Sequence, residues 1–348
     1  MDGTGARRAF IGSFTSSGGR GIVQADVDPD TGALTATGTV ATVPDPSYLA
    51  VAHRESGPVL YCVSETGHGA VAAHDLSAPT PRPLGGPVPV RGADPTHLAV
   101  CRDHLVTANY GSGSVTVLPL AADGTPRAPS SVLRHEGSGP HPARQSAPHA
   151  HQVVPDPSGR WVLSVDLGTD SVRVCTLDPH TGRLGLHATT GLPPGTGPRH
   201  LAFHPRGSHA YVLGELRPTV TVCRWDPAGG TLRPIGECPL FPDGAGVPVQ
   251  PSAPVVSRDG RHLWAAVRGT DTIAVLSLDE SGDLAEVVTS VPCGGSRPRD
   301  LVLHPSGTRL YAANEVSGDV TWFDLDGTGL PRRGGALAVP AASSVVFV

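Results

Sequence analysis

Residues 197–225, GPRHLAFHPRGSHAYVLGELRPTVTVCRW, set charge directly in front of an apolar run: Arg199 and His200 precede Leu201, Ala202 and Phe203. A glycine-bearing turn (HPRGSH) follows. A second apolar run then ends on Gly214 and Glu215, and a third reads TVTVCRW. Residues 297–323, RPRDLVLHPSGTRLYAANEVSGDVTWF, repeat this order with Arg299 and Asp300 at the entrance. Short apolar runs bounded by turns read as strands, and their recurrence reads as a repeat architecture.

Aligning the chain on the opening proline gives PSYLAV at Pro46, PTHLAV at Pro95, PHAHQV at Pro148, PRHLAF at Pro198, PSAPVV at Pro251 and PRDLVL at Pro298, spaced by 47 to 53 residues. Each opening leads through a turn to a second strand and then to a third such as SVRVCTL or TIAVLSL. Turns such as DPHTGRL lead to a more polar fourth strand. Four strands in each repeat of ~50 residues describe a propeller blade. The first 45 residues supply strands two to four (RAFIGSF, GIVQADV, GALTATGTV) without a strand one, and PAASSVVFV from Pro340 supplies a strand one with nothing after it. The sequence therefore predicts an all-β, seven-bladed propeller of four-stranded blades, one domain over residues 1–348. One blade is split between 1–45 and 340–348, so the ring closes and no sheet edge stays open between first and last blades.

Composition narrows the function. Gly (44) and Pro (36) punctuate the Val/Leu/Ala-rich runs rather than forming low-complexity tracts. A formal net charge of −5 and the lack of a basic run argue against a nucleic-acid partner. With no run of ~20 apolar residues, no membrane span is expected. The start, MDGTGARRAF, lacks the apolar core of a secretory leader, so a soluble cytoplasmic protein is expected, monomeric or weakly homo-oligomeric. The six cysteines show no CxxC spacing and read as reduced, buried thiols. The chain has no lysine, which excludes Schiff-base chemistry and a P-loop lysine and leaves arginine as the only fixed side-chain cation.

In a propeller the starts of the first strands and the ends of the second strands converge on one mouth. After the opening proline stand Ser47, Thr96, His149, Arg199, Ser252 and Arg299, followed by Tyr48, His97, Ala150, His200, Ala253 and Asp300. Second strands end on Glu65, Tyr110, Asp166, Glu215, Arg268 and Glu315, and the chain's two asparagines, Asn109 and Asn314, both fall one position earlier. Charges recurring in register around an axis point to a polar pocket lined by several blades. For Asp166 and Glu315, beside glycine-bearing turns, a site role and simple acceptance of turn amides both stay open. His151 falls in a column of leucines and fits a hydrogen-bonded core position as well as a site. His149 and His151 share a strand face with His141 nearby, but no further ligand spacing supports a metal. No metal or cofactor is expected.

At these residues the stretches PHAHQVVPDPSGRWVLSVDLGTDSVRV, GPRHLAFHPRGSHAYVLGELRPTVTV and RPRDLVLHPSGTRLYAANEVSGDVTWF resemble the lactonase family of seven-bladed propellers, and the resemblance runs essentially end to end. It implies a catalytic set of His149 (or His151), Arg199, Glu215 and Arg268, with His151, Asp166, His200, Arg299, Asn109 and Asn314 as substrate-binding candidates. The family commonly carries Asn before the arginine of VRG, where this chain has Val267 and lacks that donor.

The resemblance implies hydrolysis of a small anionic sugar lactone such as 6-phosphogluconolactone. Glu215 or His149 would activate water, and arginines would stabilise the carbonyl oxygen or the substrate anion. A muconate-type cycloisomerase using the same groups, and a propeller that only binds a ligand or protein, are the alternatives.

Overall fold

In a computed structural model of the chain, residues 7–40, 43–241 and 244–348 are described, so the start read as leaderless lies largely outside the described residues. Seven antiparallel sheets follow one another around a ring. Blade 1 joins Ala342–Phe347 to Arg8–Ser13, Ile22–Val27 and Leu34–Val40, so the C-terminal strand supplies the missing inner strand as the repeat predicts. Blades 2 to 7 begin at Leu49, Pro95, Ala150, Pro198, Gln250 and Pro298. The outer strand of blade 2 is reduced to two short pieces, Arg82–Pro83 and Val88–Pro89, both paired to Ala70–Asp75. Helix is confined, among the described residues, to a single 3-10 turn, and no helix is long and apolar enough to cross a membrane.

The core is divided. Its buried residues fall into seven clusters, one at each junction between neighbouring blades. Strand geometry causes this. Successive side chains point to opposite faces of a sheet, and both faces of a blade meet another blade. In HAYVLG of blade 5, Ala210 and Val212 pack against blade 4 while Tyr211 and Leu213 pack against blade 6. A continuous apolar run results.

Second-strand aromatics also fasten blade to blade through their single polar atom. Tyr61, Tyr211 and Tyr311 donate to the carbonyls of Gly124, Gly282 and Gly32, and the Trp161 and Trp264 indoles donate to those of Pro227 and Gly329. Each acceptor sits in a turn of the next blade. At Gly32 (φ +70°) a Cβ would stand 2.7 Å from the Tyr311 hydroxyl, so that turn needs both the left-handed backbone and the bare Cα. All six cysteines are buried, as expected for residues set mostly in strands.

Candidate active site

The inner strands carry an irregularity at their entrance that positions the site. In blade 5, Pro198 pairs with Gly214 and His200 with Leu213, so Arg199 is an extra, unpaired residue; Arg299 is bulged in the same way in blade 7. A bulge turns its side chain out of the ladder. Applied to every blade, this pairing corrects two of the sequence columns. In blade 4, Ala150 pairs with Asp166 and Gln152 with Val165, which makes His151, not His149, the equivalent of Arg199 and Arg299. Pro148 lies two residues too early to mark that strand, and Val153 takes the leucine slot assigned to His151. Asp166 likewise moves from the Glu215 column into that of Asn109 and Asn314.

A cavity of about 280 Å³ opens at the mouth, lined by Thr96, His151 and Arg299 from the bulge column and by Glu65, Tyr110, Glu215 and Arg268 from the residues ending or following second strands. Arg144, Gln250 and Arg297 complete it from the connecting segments and strand entrances. Four guanidiniums therefore face two carboxylates around a space the size of a small sugar derivative.

Glu215 is the centre of the charge network. Arg144 Nη2 donates to its Oε1 at 2.6 Å, Arg268 Nη2 donates to its Oε2 at 2.8 Å, and Arg199 Nε stands 3.2 Å from Oε2. Burial by itself disfavours its charge, but Arg268, Arg199, His151 and Arg144 outweigh burial and hold the carboxyl well below the usual carboxylate range. A carboxylate so compensated is a weak base. Arg268 is fixed further by Nε donating to the Gln250 carbonyl at 3.0 Å, and Arg199 by the Ser252 carbonyl.

His151 presents the cavity with a neutral imidazole: burial and the Arg199 charge push its pKa well below the ordinary histidine value. Below it, His200 and His97 stack edge to face with ring centroids 5.2 Å (His151 to His200) and 5.3 Å (His97 to His200) apart. Burial keeps these two neutral as well. The opposite wall is looser. Arg299 lies 3.3 Å from Glu65 and 3.4 Å from Glu315, with its guanidinium over the Phe14 ring at 4.6 Å. Burial pushes the Glu65 carboxyl up, against the pull of Arg299 and the Ser47 hydroxyl.

Of the catalytic and substrate-binding candidates, His151, Glu215, Arg268 and Arg299 line the cavity. Arg199 and His200 are buried beneath it, and Arg199 touches the site through Glu215. His149 does not line it: its ring stacks on Tyr110, and Nδ1 lies 2.9 Å from the Tyr110 carbonyl.

Asp166, Asn109 and Asn314 do not line the cavity. All three are fully buried and tie strands together. Asp166 pairs with His135 Nδ1 at 2.6 Å and accepts the His149 and Thr169 amides. Asn109 bridges Thr107, Ser114 and Thr116, and Asn314 bridges Asp319 and Thr321. Arg144, absent from the sequence-based set, lies outside the repeat, so no column could reveal it. The available signal is that it sits in residues 135–149, the longest link between blades. Among the described residues no group of three or more His, Cys, Asp or Glu side chains is arranged to hold a metal ion.

Comparison with known proteins places the chain as a whole. Residues 8–347 match the family described as lactonase, 7-bladed beta-propeller. The chain is 35% identical over 343 residues to the 6-phosphogluconolactonase of Bacillus subtilis (strain 168), covering 97% of this chain and 95% of that protein. Among solved structures, the periplasmic gluconolactonase PpgL of Pseudomonas aeruginosa superposes with a TM-score of 0.90 at 29% identity, covering 98% of each chain. A Lactobacillus plantarum protein superposes with a TM-score of 0.91 at 28% identity, covering 98% of this chain and 99% of that one. The chain belongs to the seven-bladed β-propeller lactonase family.

Proposed function

We propose that the protein hydrolyses a sugar lactone bearing an anionic substituent, with 6-phosphogluconolactone the first substrate to test. One observation carries the reading: a small cavity where a neutral imidazole, a fixed carboxylate and four guanidiniums converge on a lactonase frame. The name of the Bacillus subtilis relative supports the choice of substrate.

Water attacks the lactone carbonyl carbon and gives its proton to the neutral His151 imidazole. Burial and the Arg199 charge oppose this protonation, and the Glu215 charge offsets part of that opposition, so the imidazolium is a short-lived proton carrier that passes its proton on. The oxyanion develops toward Arg268, whose guanidinium is held in place before substrate arrives. As the tetrahedral centre collapses, the ring C–O bond breaks. The leaving alkoxide takes a proton from the imidazolium, giving the open hydroxy acid. Glu215 thus serves as counter-charge rather than as water-activating base, Arg199 holds Glu215, and Arg299 with Arg297 adds positive charge on the far wall.

The test is acid release in a pH-stat against 6-phosphogluconolactone and simple γ- and δ-lactones, corrected for spontaneous hydrolysis. His151→Ala is expected to lose about 10²–10³ in turnover and His149→Ala less than about tenfold. Absence of acid release above the spontaneous rate by the wild type would sink the lactonase reading. The reverse order of the two histidine variants would sink the assignment of the base.

A further inference from the structure

The three guanidiniums on Glu215 are not equivalent. Arg199 and Arg268 come from propeller strands, are only 4% and 5% exposed, and are each tied to a backbone carbonyl as well. Arg144 is 31% exposed, comes from the link 135–149, and its second partner is the Tyr110 hydroxyl at 3.3 Å, near the limit of a hydrogen bond. The backbone beneath it, by contrast, is anchored. The adjacent Gln145 is fully buried; its Nε2 donates to the Leu167 carbonyl at 2.8 Å and to Asp170 at 2.7 Å, and its Oε1 accepts the His141 amide at 3.0 Å. Its main chain bonds His141 and Gly139. The side chain is thus held by two side-chain contacts alone, to Glu215 and Tyr110, while its root stays fixed over the mouth.

Charge balance singles out the same residue. Arg199 and Arg268 already exceed the single charge of Glu215, so Arg144 is the cation that Glu215 can release.

We propose that Arg144 is the receptor for the substrate's anionic substituent remote from the lactone carbonyl. On binding it leaves Glu215 Oε1 and Tyr110 and forms a two-pronged pair with that phosphate. The hydrogen bond to Glu215 Oε1 is exchanged for a charge-assisted pair with the phosphate; Glu215 keeps the charges of Arg268 and Arg199 on Oε2, and its Oε1 is left to the incoming substrate. A lactone without the anion offers nothing for this exchange. Arg144 therefore determines specificity, and Gln145 is a positioning residue that sets where its side chain begins. The inference rests on the lactonase reading and names the group within that site that selects the substrate.

Wild type, Arg144→Met and Arg144→Lys are compared in two ways: kcat and KM on 6-phosphogluconolactone, and calorimetric binding of 6-phosphogluconate and of gluconate, which lacks only the phosphate. Arg144→Met is expected to raise KM and weaken 6-phosphogluconate binding by about 10- to 100-fold, with a smaller change for gluconate. Arg144→Lys is expected to recover part of the loss, and the thermal midpoint to stay close to wild type.

Equal weakening of both acids, a fall in kcat at unchanged KM, a collapse of the thermal midpoint, or a wild type that does not bind 6-phosphogluconate would each overturn the inference. The two readings fail separately. A wild type that turns over no lactone but binds 6-phosphogluconate through Arg144 loses the lactonase reading alone, whereas turnover with an unaltered KM in Arg144→Met loses only the receptor.

Discussion

The two walls of the mouth use the same repeat positions to opposite ends. On one wall Glu215 is met by three guanidiniums at 2.6 to 3.2 Å and its carboxyl is held far down. On the other, Glu65 occupies the equivalent place after its second strand, yet its arginine stands 3.3 Å away and burial pushes its carboxyl up. The contrast comes from neighbours, not from the repeat. Blade 5 lies between blades contributing His151 and Arg268 and receives Arg144 from a long link, whereas Glu65 of blade 2 pairs with Arg299 from blade 7, with Arg199 acting on it only through its charge. Environments that drive two carboxyls apart give the site one half whose carboxylate is fully compensated by cations and one whose carboxyl is not.

Both halves depend on one closed ring, so the largest effect is expected from deleting residues 340–348. This removes Ala342–Phe347, with Ala342 and Val345 lost from the junction core. The folded fraction should collapse in thermal and circular-dichroism measurements; an unchanged midpoint would break the comparison at its root. Next comes Glu215→Ala, which strands buried cations. It is expected to cost about 3–5 kcal/mol of stability and about 10²–10³ in turnover, while Glu65→Ala costs about 1 kcal/mol. Equal destabilisation in denaturant titrations would erase the distinction between the walls.

The pH response separates them by sign. The depressed Glu215 adds stability that is complete above its unfolded value near 4.5 and is lost as pH falls toward its folded value. The raised Glu65 does the reverse: between 4.5 and its higher folded value the native state keeps a proton the unfolded chain has released, so its contribution falls as pH rises. Thermal midpoints from about pH 3 to about pH 8 should show Glu215→Gln flattening the acid loss and Glu65→Gln removing the decline that begins above 4.5. Identical curves would contradict this division.

Single arginines divide the walls once more, and the smallest effect is at Arg299. Arg268→Ala is expected to lower kcat/KM by about 10²–10³, and Arg299→Ala, with its longer pairs, by about tenfold. A larger loss at Arg299 would move the centre of the chemistry to the other wall.

The seven blades, the split blade and the mouth were legible in the sequence because period-two burial on both sheet faces leaves an unmistakable run, repeated with its turns. Glu215, Arg268 and Arg299 were legible because they sit at fixed offsets from those runs. Asp166 and His149 fell into the wrong columns for one reason, while the choice between His149 and His151 had stayed open: a bulge and an early proline at Pro148 shift the pairing by one or two residues, and only the ladder reveals the shift.

Local periodicity thus determined the architecture and the ring of candidate positions from the chain alone. Which histidine enters the cavity, that both asparagines are strand ties, and that Arg144 reaches Glu215 across 71 residues were decided by tertiary structure. These are matters of register and long-range contact, where a shift of one residue reverses the face to which a side chain points.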